Sequence, residues 1–554
     1  MEKDKNKRLQ ASELKETFLT NSGIPVKRLY TPEDVKDIDY EKDVGEPGEF
    51  PYTRGIHPSM YRKRLWTIRQ FSGLESAYET NKRYKLLYES GITGFAIAMD
   101  NASIMGFDPT SNEAECEVCV GGVSVSSMKD MEIIFEGLPI EKISTAVIQI
   151  INTTCPHTAM YLAMAENRGM PLSMINGTTE GDPTSLGGCF DGSFLPVNQM
   201  IRLCGDLVEW CAINAPKWNP VSFTSYNYRE AGVNAYQEIG GLISSAVAVI
   251  EEVLGRDRGL TVDDFVPQFA FHLSAHNDFF EEIAKMRAAR KMWAQLMTEK
   301  YGAKNPRTKT LRFHVQTAGS TLTYQQPINN AIRAAYQSLA AALGGVQSLH
   351  VCSYDEAICN PTEESAILSV RTQQILQNET NIINTVDPLA GSYFVESLTK
   401  GIEERAWGFY NELEEQGGWG KAIESGWIQN HKEGEVCKYE QEMRSGEKRV
   451  VGVNCYKDDE KTAKISVFRA DPELGERLRE RLEKLKKERD NVKVDEALAE
   501  LREADDAGDN VMPAIMKAVK AYATIEEMTD ITVRRYPTPG VYNSPAYGLK
   551  GVIS

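Results

Sequence analysis

The sequence predicts an α/β fold in which eight parallel strands alternate with helices and close into a barrel. Three observations predict it. Short apolar runs that end in polar or small residues recur along the first 360 positions. At least one helical pattern lies between consecutive runs, and parallel neighbours need such a crossover. No GxGxxG follows the first run, and no early Gly-rich phosphate loop appears, so an open doubly wound sheet is disfavoured. Eight repeats fit a TIM barrel.

The eight runs, in order, are LWTIRQ (65–70), GFAIAMD (94–100), TAVIQII (145–151), LSMING (172–177), VSFTSY (221–226), QFAFHLS (268–274), LRFHVQT (311–317) and QSLHV (347–351). The helical patterns between them are of the kind seen in 332–343. There Ile332, Ala335, Tyr336, Leu339, Ala342 and Leu343 share one helical face. Residues 1–55 are charged and punctuated by Pro and Gly, and read as an N-terminal arm. Residues 56–410 form the barrel, and 411–554 a mainly helical linker and C-terminal extension. Within that extension 472–505 reads as long surface helices of alternating charge, and the last stretch, YPTPGVYNSPAYGLKGVIS, as extended.

In a barrel the C-terminal ends of the strands form the active-site face. Polar clusters stand at those ends: Asp100-Asn101, Asn152-Thr153-Thr154, Tyr226-Asn227, His276-Asn277-Asp278, His314 with Gln316, and the group after 346 that holds Gln347, Ser348, His350, Cys352, Asp355 and Glu356. Wet loop ends account for any one cluster. They do not account for His and Gln inside strands, which would point into a core ordinarily filled by Val, Ile and Leu.

The net charge of −17 excludes broad binding to nucleic acid or to an anionic membrane surface. The N-terminus MEKDKNKRLQ lacks the apolar segment of a secretory signal, and no run is apolar and long enough to span a bilayer. A cytoplasmic protein is expected. The ten cysteines are scattered, and the only CxxC, Cys116 to Cys119, has no second pair or nearby His to complete a zinc site.

Several stretches then become informative together. RGIHPSMYRKRLWTIRQFSG (54–73), KWNPVSFTSYNYREAG (217–232), FFEEIAKMRAARKMWA (279–294), KNPRTKTLRFHVQTAGSTLT (304–323), QSLHVCSYDEA (347–357), DPLAGSYFVE (387–396) and GVN (452–454) resemble, in order, the substrate barrel of methylmalonyl-CoA mutase and its relatives. The resemblance spans roughly 50–460 and implies an adenosylcobalamin-dependent acyl-CoA mutase, in which the barrel closes around an acyl-CoA whose pantetheine runs along the axis. The family's cobalamin domain carries Asp-x-His-x-x-Gly. None of the seven His here has Asp two positions earlier. A separate small cobalamin-binding subunit is therefore expected, in a hetero-oligomer, with a GTPase chaperone as a further partner of the kind such mutases use.

The resemblance places Arg64, Thr67, Arg69 and Gln70 along the CoA path, with His57, Met60, Thr178 and Lys217 beside it and Arg307 at a CoA-phosphate position normally held by Lys. Forked Arg donors suit a polyanion. It places Glu356 under the cofactor ribose, Tyr226 as the aromatic wedge that helps displace the adenosyl group, and Met99, Gly121, Gly319 and Cys359 at further cofactor-facing positions. Gln316 falls in the inner cavity.

The sequence also departs from the family. The Tyr and Arg that hold a free carboxylate in methylmalonyl-CoA mutases are Phe71 and Phe190 here. The Asp that serves a 2-hydroxyacyl group is Ala98. The His that follows the wedge Tyr and donates to the thioester carbonyl is Asn227, expected here as a neutral donor. Glu180 replaces a Gln after strand four, and Gln268 an Arg in strand six. A buried carboxylate without its partner costs several kcal/mol, so an apolar branched acyl group such as isobutyryl or larger is the expected substrate. The alternatives are a mutase for methylmalonyl-CoA or another carboxylated acyl-CoA, and a catalytically reduced CoA-binding paralogue that keeps the fold. An acyl-transfer nucleophile at Cys352 or Cys189 has no adjacent His–acid pair to support it.

Overall fold

The structure is a computed structural model that describes residues 14–15, 17–148, 153–182, 196–457, 465–468, 471 and 473–536. Nine strands form a single parallel sheet: β1 (Thr67–Ser72), β2 (Gly94–Ala98), β3 (Ser144–Ile148), β4 (Gly177–Glu180), β5 (Trp218–Asn219), β6 (Ser222–Thr224), β7 (Ala270–Ala275), β8 (Phe313–Thr317) and β9 (Ser348–His350). Their order is β5-β4-β3-β2-β1-β9-β8-β7-β6, so the sheet curls until β5 and β6, consecutive in the chain, meet at its two edges. The result is a TIM-like barrel with eight staves. The fifth stave is split because Pro220 has no N–H to give to a ladder. Trp218 still pairs with Gly177 of β4, and Ser222 with Ala270 of β7. The buried Asp182 carboxylate takes the Thr224 N–H that has no strand partner on the β4 side.

Two strands differ from expectation. LSMING does not form the fourth strand. After Pro171, Leu172–Met174 turns as a 3-10 helix, and β4 begins only at Gly177. Gly is required there, because a Cβ would fall 2.2 Å from the Trp218 ring. The fifth run stops at Thr224, and a short helix, Ser225–Glu230, follows at once. Tyr226 and Asn227 therefore sit in the first turn of a helix at the barrel rim.

Helices cover the outside of the barrel. The helix Phe279–Glu299, which contains the stretch FFEEIAKMRAARKMWA, is buried along most of its length and carries buried charges with defined partners. Arg290 donates to the carbonyls of Tyr52 (2.9 Å), Thr53 (2.7 Å) and Gly344 (2.6 Å). Lys291 pairs with Asp43 (2.6 Å) and Glu403 (2.7 Å). These contacts fasten the N-terminal arm to the barrel wall. The helix predicted around 332–343 exists as Asn329–Leu343, and the face of Ile332 and Tyr336 is only partly buried. Ile332 and Tyr336 are exposed, whereas Asn330, Ala334, Gln337, Ser338 and Ala341 are buried. Hydrogen bonds decide the orientation: Asn330 donates to the carbonyls of Thr323 and Tyr354, and Gln337 to Asn277 and Thr321.

In the C-terminal region, helices Leu474–Glu488 and Asn491–Ala507 carry the expected surface charge but also bury Leu474, Leu478, Leu482, Val494 and Leu501. Asp108 with Lys486 (2.9 Å) and Arg202 with Asp505 (2.7 Å) tie these helices to the barrel layer. Residues 537–554, most of the stretch expected to be extended, and Asn152 lie outside the described residues. Among the described residues, no helix is long and apolar enough to cross a membrane.

Candidate active site

Strand alternation sets the interior. On β1 the side chains of Thr67, Arg69 and Phe71 face the axis. A TIM-barrel interior is normally filled by branched apolar side chains. Here Ser144, Ala146, Thr178, Ser222 and Ser348 occupy inward positions and leave an axial cavity of about 220 Å³. It runs from His57, Met60, Arg64 and Arg312, beside the N-terminal ends of the strands, to Phe71 and Glu180 near the C-terminal ends.

The lower end of the cavity is cationic. Burial, then Arg307 and Arg64, pull the pKa of Arg312 down to about 10. Burial, then Arg312, Arg64 and Lys63, lower that of His57. Among the described residues none of Arg64, Arg307 and Arg312 forms an ion pair with a carboxylate. Uncompensated cations on a chain of net charge −17 mark a place for a polyanion. Arg69 is different. Its guanidinium is buried and donates to the carbonyls of Phe95 and Ser144 and to Ser144 Oγ (2.7 Å), so it shapes the wall with most of its donors already used.

Aromatic rings close the upper end. Phe71 lies flat on His350, with ring centres 4.2 Å apart and planes 6° apart, and also meets His314 and, edge-on, His272. His350 Nδ1 accepts the Phe71 N–H at 3.1 Å, and burial lowers its pKa to about 3, so the ring is neutral. His272 Nδ1 lies 2.9 Å from Glu180 Oε1.

The loops above β6, β8 and β9 bring Tyr226, Gly319 and Glu356 together. Gly319 N–H donates to Tyr226 Oη at 3.3 Å. A Cβ on Gly319 would stand 2.8 Å from Glu356 Oε1 and 3.2 Å from Tyr226 Oη, so only Gly leaves the space between them open. Tyr226 stacks on His272, with centres 5.2 Å and planes 13° apart. Burial raises the carboxyl of Glu356 to about 7, and burial likewise raises that of Glu230, whose carboxylate accepts Ser320 N–H. Gln316 donates to Cys352 Sγ at 3.5 Å, and Cys352 donates to the Thr317 carbonyl at 2.9 Å. Burial raises the Cys352 thiol well above its usual range, which leaves it a poor nucleophile. His350, Cys352 and Glu356 lie within 4.8 Å of one another.

The remaining expected site residues are more scattered. His57, Met60, Arg64, Thr67, Arg69, Phe71 and Thr178 line the axial cavity. Gln70 is buried on the other face of β1, and its amide has no protein partner. Lys217 is exposed beside Met174, and Arg307 is close enough to Arg312 to perturb it. Met99 packs in the hydrophobic core, bridging to Val123. Gly121 is exposed with φ +79°, and Cys359 is half-buried in the loop after β9. Phe190 lies outside the described residues. The structure adds His272, Glu230 and Arg312, which the sequence does not single out as site residues, and lays His350, from the cluster after 346, against Phe71. Alternation along QFAFHLS would have turned His272 inward with Ala270. Helical spacing would have set Glu230 one turn beyond Tyr226.

A family model described as Methylmalonyl-CoA mutase matches residues 19–537. The chain belongs to the methylmalonyl-CoA mutase family. Among its relatives, the 2-hydroxyisobutanoyl-CoA mutase large subunit of Aquincola tertiaricarbonis is 38% identical over 524 residues, which are 94% of this chain and 92% of the relative. The methylmalonyl-CoA mutase of Cereibacter sphaeroides is 36% identical over 518 residues, 93% of this chain and 72% of that protein. The mitochondrial methylmalonyl-CoA mutase of Homo sapiens is 34% identical over 513 residues, 92% and 67% respectively. As a member of this mutase family the chain is an isomerase of the intramolecular-transferase class.

Proposed function

We propose that this chain is the catalytic large subunit of a cytoplasmic, adenosylcobalamin-dependent acyl-CoA mutase that rearranges an apolar branched acyl-CoA, isobutyryl-CoA or larger. In this reading a separate small subunit supplies the cobalamin cradle. The observation that carries it is the axial cavity, cationic at one end and closed at the other by the Phe71 ring beneath Tyr226, Gly319 and Glu356. Arg64, Arg307 and Arg312 would hold CoA phosphates, and the small inward side chains give the pantetheine its path. Phe71 offers a substrate carboxylate no hydrogen-bond donor, and a carboxylate buried without a partner costs several kcal/mol. The similarity to a relative named as a large subunit, nearly all of whose length this chain covers, supports the two-chain arrangement.

Adenosylcobalamin, when bound, supplies the radical that takes hydrogen from the acyl group; the protein binds, orients and shields. The space kept by Gly319 between Tyr226 and Glu356 suits it: Glu356 would accept from ribose hydroxyls, and Tyr226 would press on the adenosyl side. Phe71 and the three imidazoles below would surround the acyl group and exclude water. The test is the chain mixed with its small subunit and adenosylcobalamin and given isobutyryl-CoA. The linear isomer is expected. Retained CoA binding with no isomerised product from any acyl-CoA would instead support a catalytically reduced paralogue.

A further inference from the structure

His272 occupies an inward position of β7, one pleat above Ala270, and is 1% exposed. Its Nδ1 lies 2.9 Å from Glu180 Oε1, so β7 and β4 are joined across the barrel interior at the inner end of the axial cavity. Four rings meet here. His272 is stacked on Tyr226, 4.6 Å from His314, and edge-on to Phe71 at 6.0 Å. Its other nitrogen, Nε2, is buried and has no hydrogen-bond partner among the described residues. Buried polar atoms are nearly always paired, and one left unpaired at the end of a cavity is paired by what enters it.

We infer that His272, held by Glu180, is the hydrogen-bond donor to the thioester carbonyl of the acyl-CoA; this rests on the acyl-CoA reading above. The carbonyl is the one acceptor that every acyl-CoA carries beside the rearranging carbons. With two protons on the pair, one lies between Nδ1 and Glu180 and the other sits on Nε2, so Nε2–H donates to the carbonyl oxygen while the pair as a whole carries no net charge. His314 also has an unpaired buried Nε2, but its Nδ1 faces Ser348 Oγ at 2.6 Å rather than a carboxylate, and burial holds its pKa well below the usual range. Tyr226 connects the donor to the cofactor side, because its ring lies on that of His272. His272 thus takes a task otherwise expected of Asn227.

The measurement is isotope-edited infrared difference spectroscopy of isobutyryl-CoA, labelled with carbon-13 at the carbonyl, bound to the full chain. Binding is measured in parallel for isobutyryl-CoA and for its S-isobutyl thioether, which lacks the carbonyl. In the wild type the bound carbonyl band should lie below that of free thioester. His272→Phe should return it towards the free position, Glu180→Gln should move it part of the way, and Asn227→Ala should leave it lowered. His272→Phe should weaken isobutyryl-CoA about tenfold or more, as leaving a buried carbonyl without its donor implies, and leave the thioether unchanged. His272→Gln, which keeps a donor and the polar character of the site, should retain part of the shift and serves if the Phe variant does not fold. A lowered band that survives His272→Phe and vanishes in Asn227→Ala would overturn the assignment. So would a His272 dependence confined to 2-hydroxyisobutyryl-CoA, which would give the nitrogen to a substrate hydroxyl. Failure of the wild type to bind either CoA compound would overturn the acyl-CoA reading and this assignment with it.

Discussion

In the proposed reading Phe71 and Glu356 bound the reacting region from below and above. Phe71 lies flat on His350, and an aromatic pair of this kind adds about 0.5–1.5 kcal/mol beyond burial. Phe71→Ala should lower stability by about 1–3 kcal/mol, less than for a fully buried ring, seen as a fall in melting temperature, and should admit bulkier acyl groups. Glu356 is the proposed acceptor for ribose hydroxyls, and its carboxyl is raised to about 7 by burial. A raised carboxyl is neutral below that value and ionised above it, so turnover should rise as pH passes about 7. Glu230 titrates in the same range and feels Glu356, so the midpoint belongs to the pair. Glu356→Ala should suppress radical formation, followed by the cobalamin absorbance, while CoA affinity changes little; unchanged turnover would remove Glu356 from the site. Arg64, Tyr226 and Glu356 were legible because each stands in a contiguous stretch that resembles the family. The Glu180–His272 pair was not, since 92 residues separate its members and only barrel closure brings them together.

Barrel staves were legible because strands and crossover helices leave two different periodicities in one chain. Their boundaries were less so where proline intervened. Pro171 leads into a 3-10 turn and delays β4 to Gly177, and Pro220 divides the fifth stave. The Asp182 side chain is the local repair, and it cannot be read from period or propensity. Asp182→Ala would strip Thr224 N–H of its acceptor, and a buried unsatisfied donor costs about 1–3 kcal/mol. Chemical denaturation should show that loss with an unchanged m-value; no loss would mean that the split stave is held by its flanking ladders alone. The helix Asn329–Leu343 teaches the converse. Its period was plain, but its buried side follows Asn330 and Gln337, whose amides satisfy loop carbonyls and side chains, while Ile332 and Tyr336 face outward.

At the scale of the molecule, an arm bound by Arg290 and Lys291 and a helical C-terminal region bound through Asp108 and Arg202 enclose one barrel with one axial cavity. In the proposed reading the barrel supplies the CoA path and the floor of the cofactor site. Isolated chain should therefore bind CoA esters but not hold cobalamin tightly, and should form a complex when a small cobalamin-binding subunit is added; stoichiometric cobalamin binding through an imidazole of this chain, seen spectroscopically, would refute the division of labour. The central claim is that the cavity ends in an apolar acyl pocket closed by Phe71. The most direct test is kcat/KM of the reconstituted holoenzyme for methylmalonyl-, 2-hydroxyisobutyryl-, isobutyryl- and longer branched acyl-CoAs. The account predicts the highest value for isobutyryl-CoA or a longer branched homologue and negligible turnover of methylmalonyl-CoA, and methylmalonyl-CoA as the best substrate would contradict it.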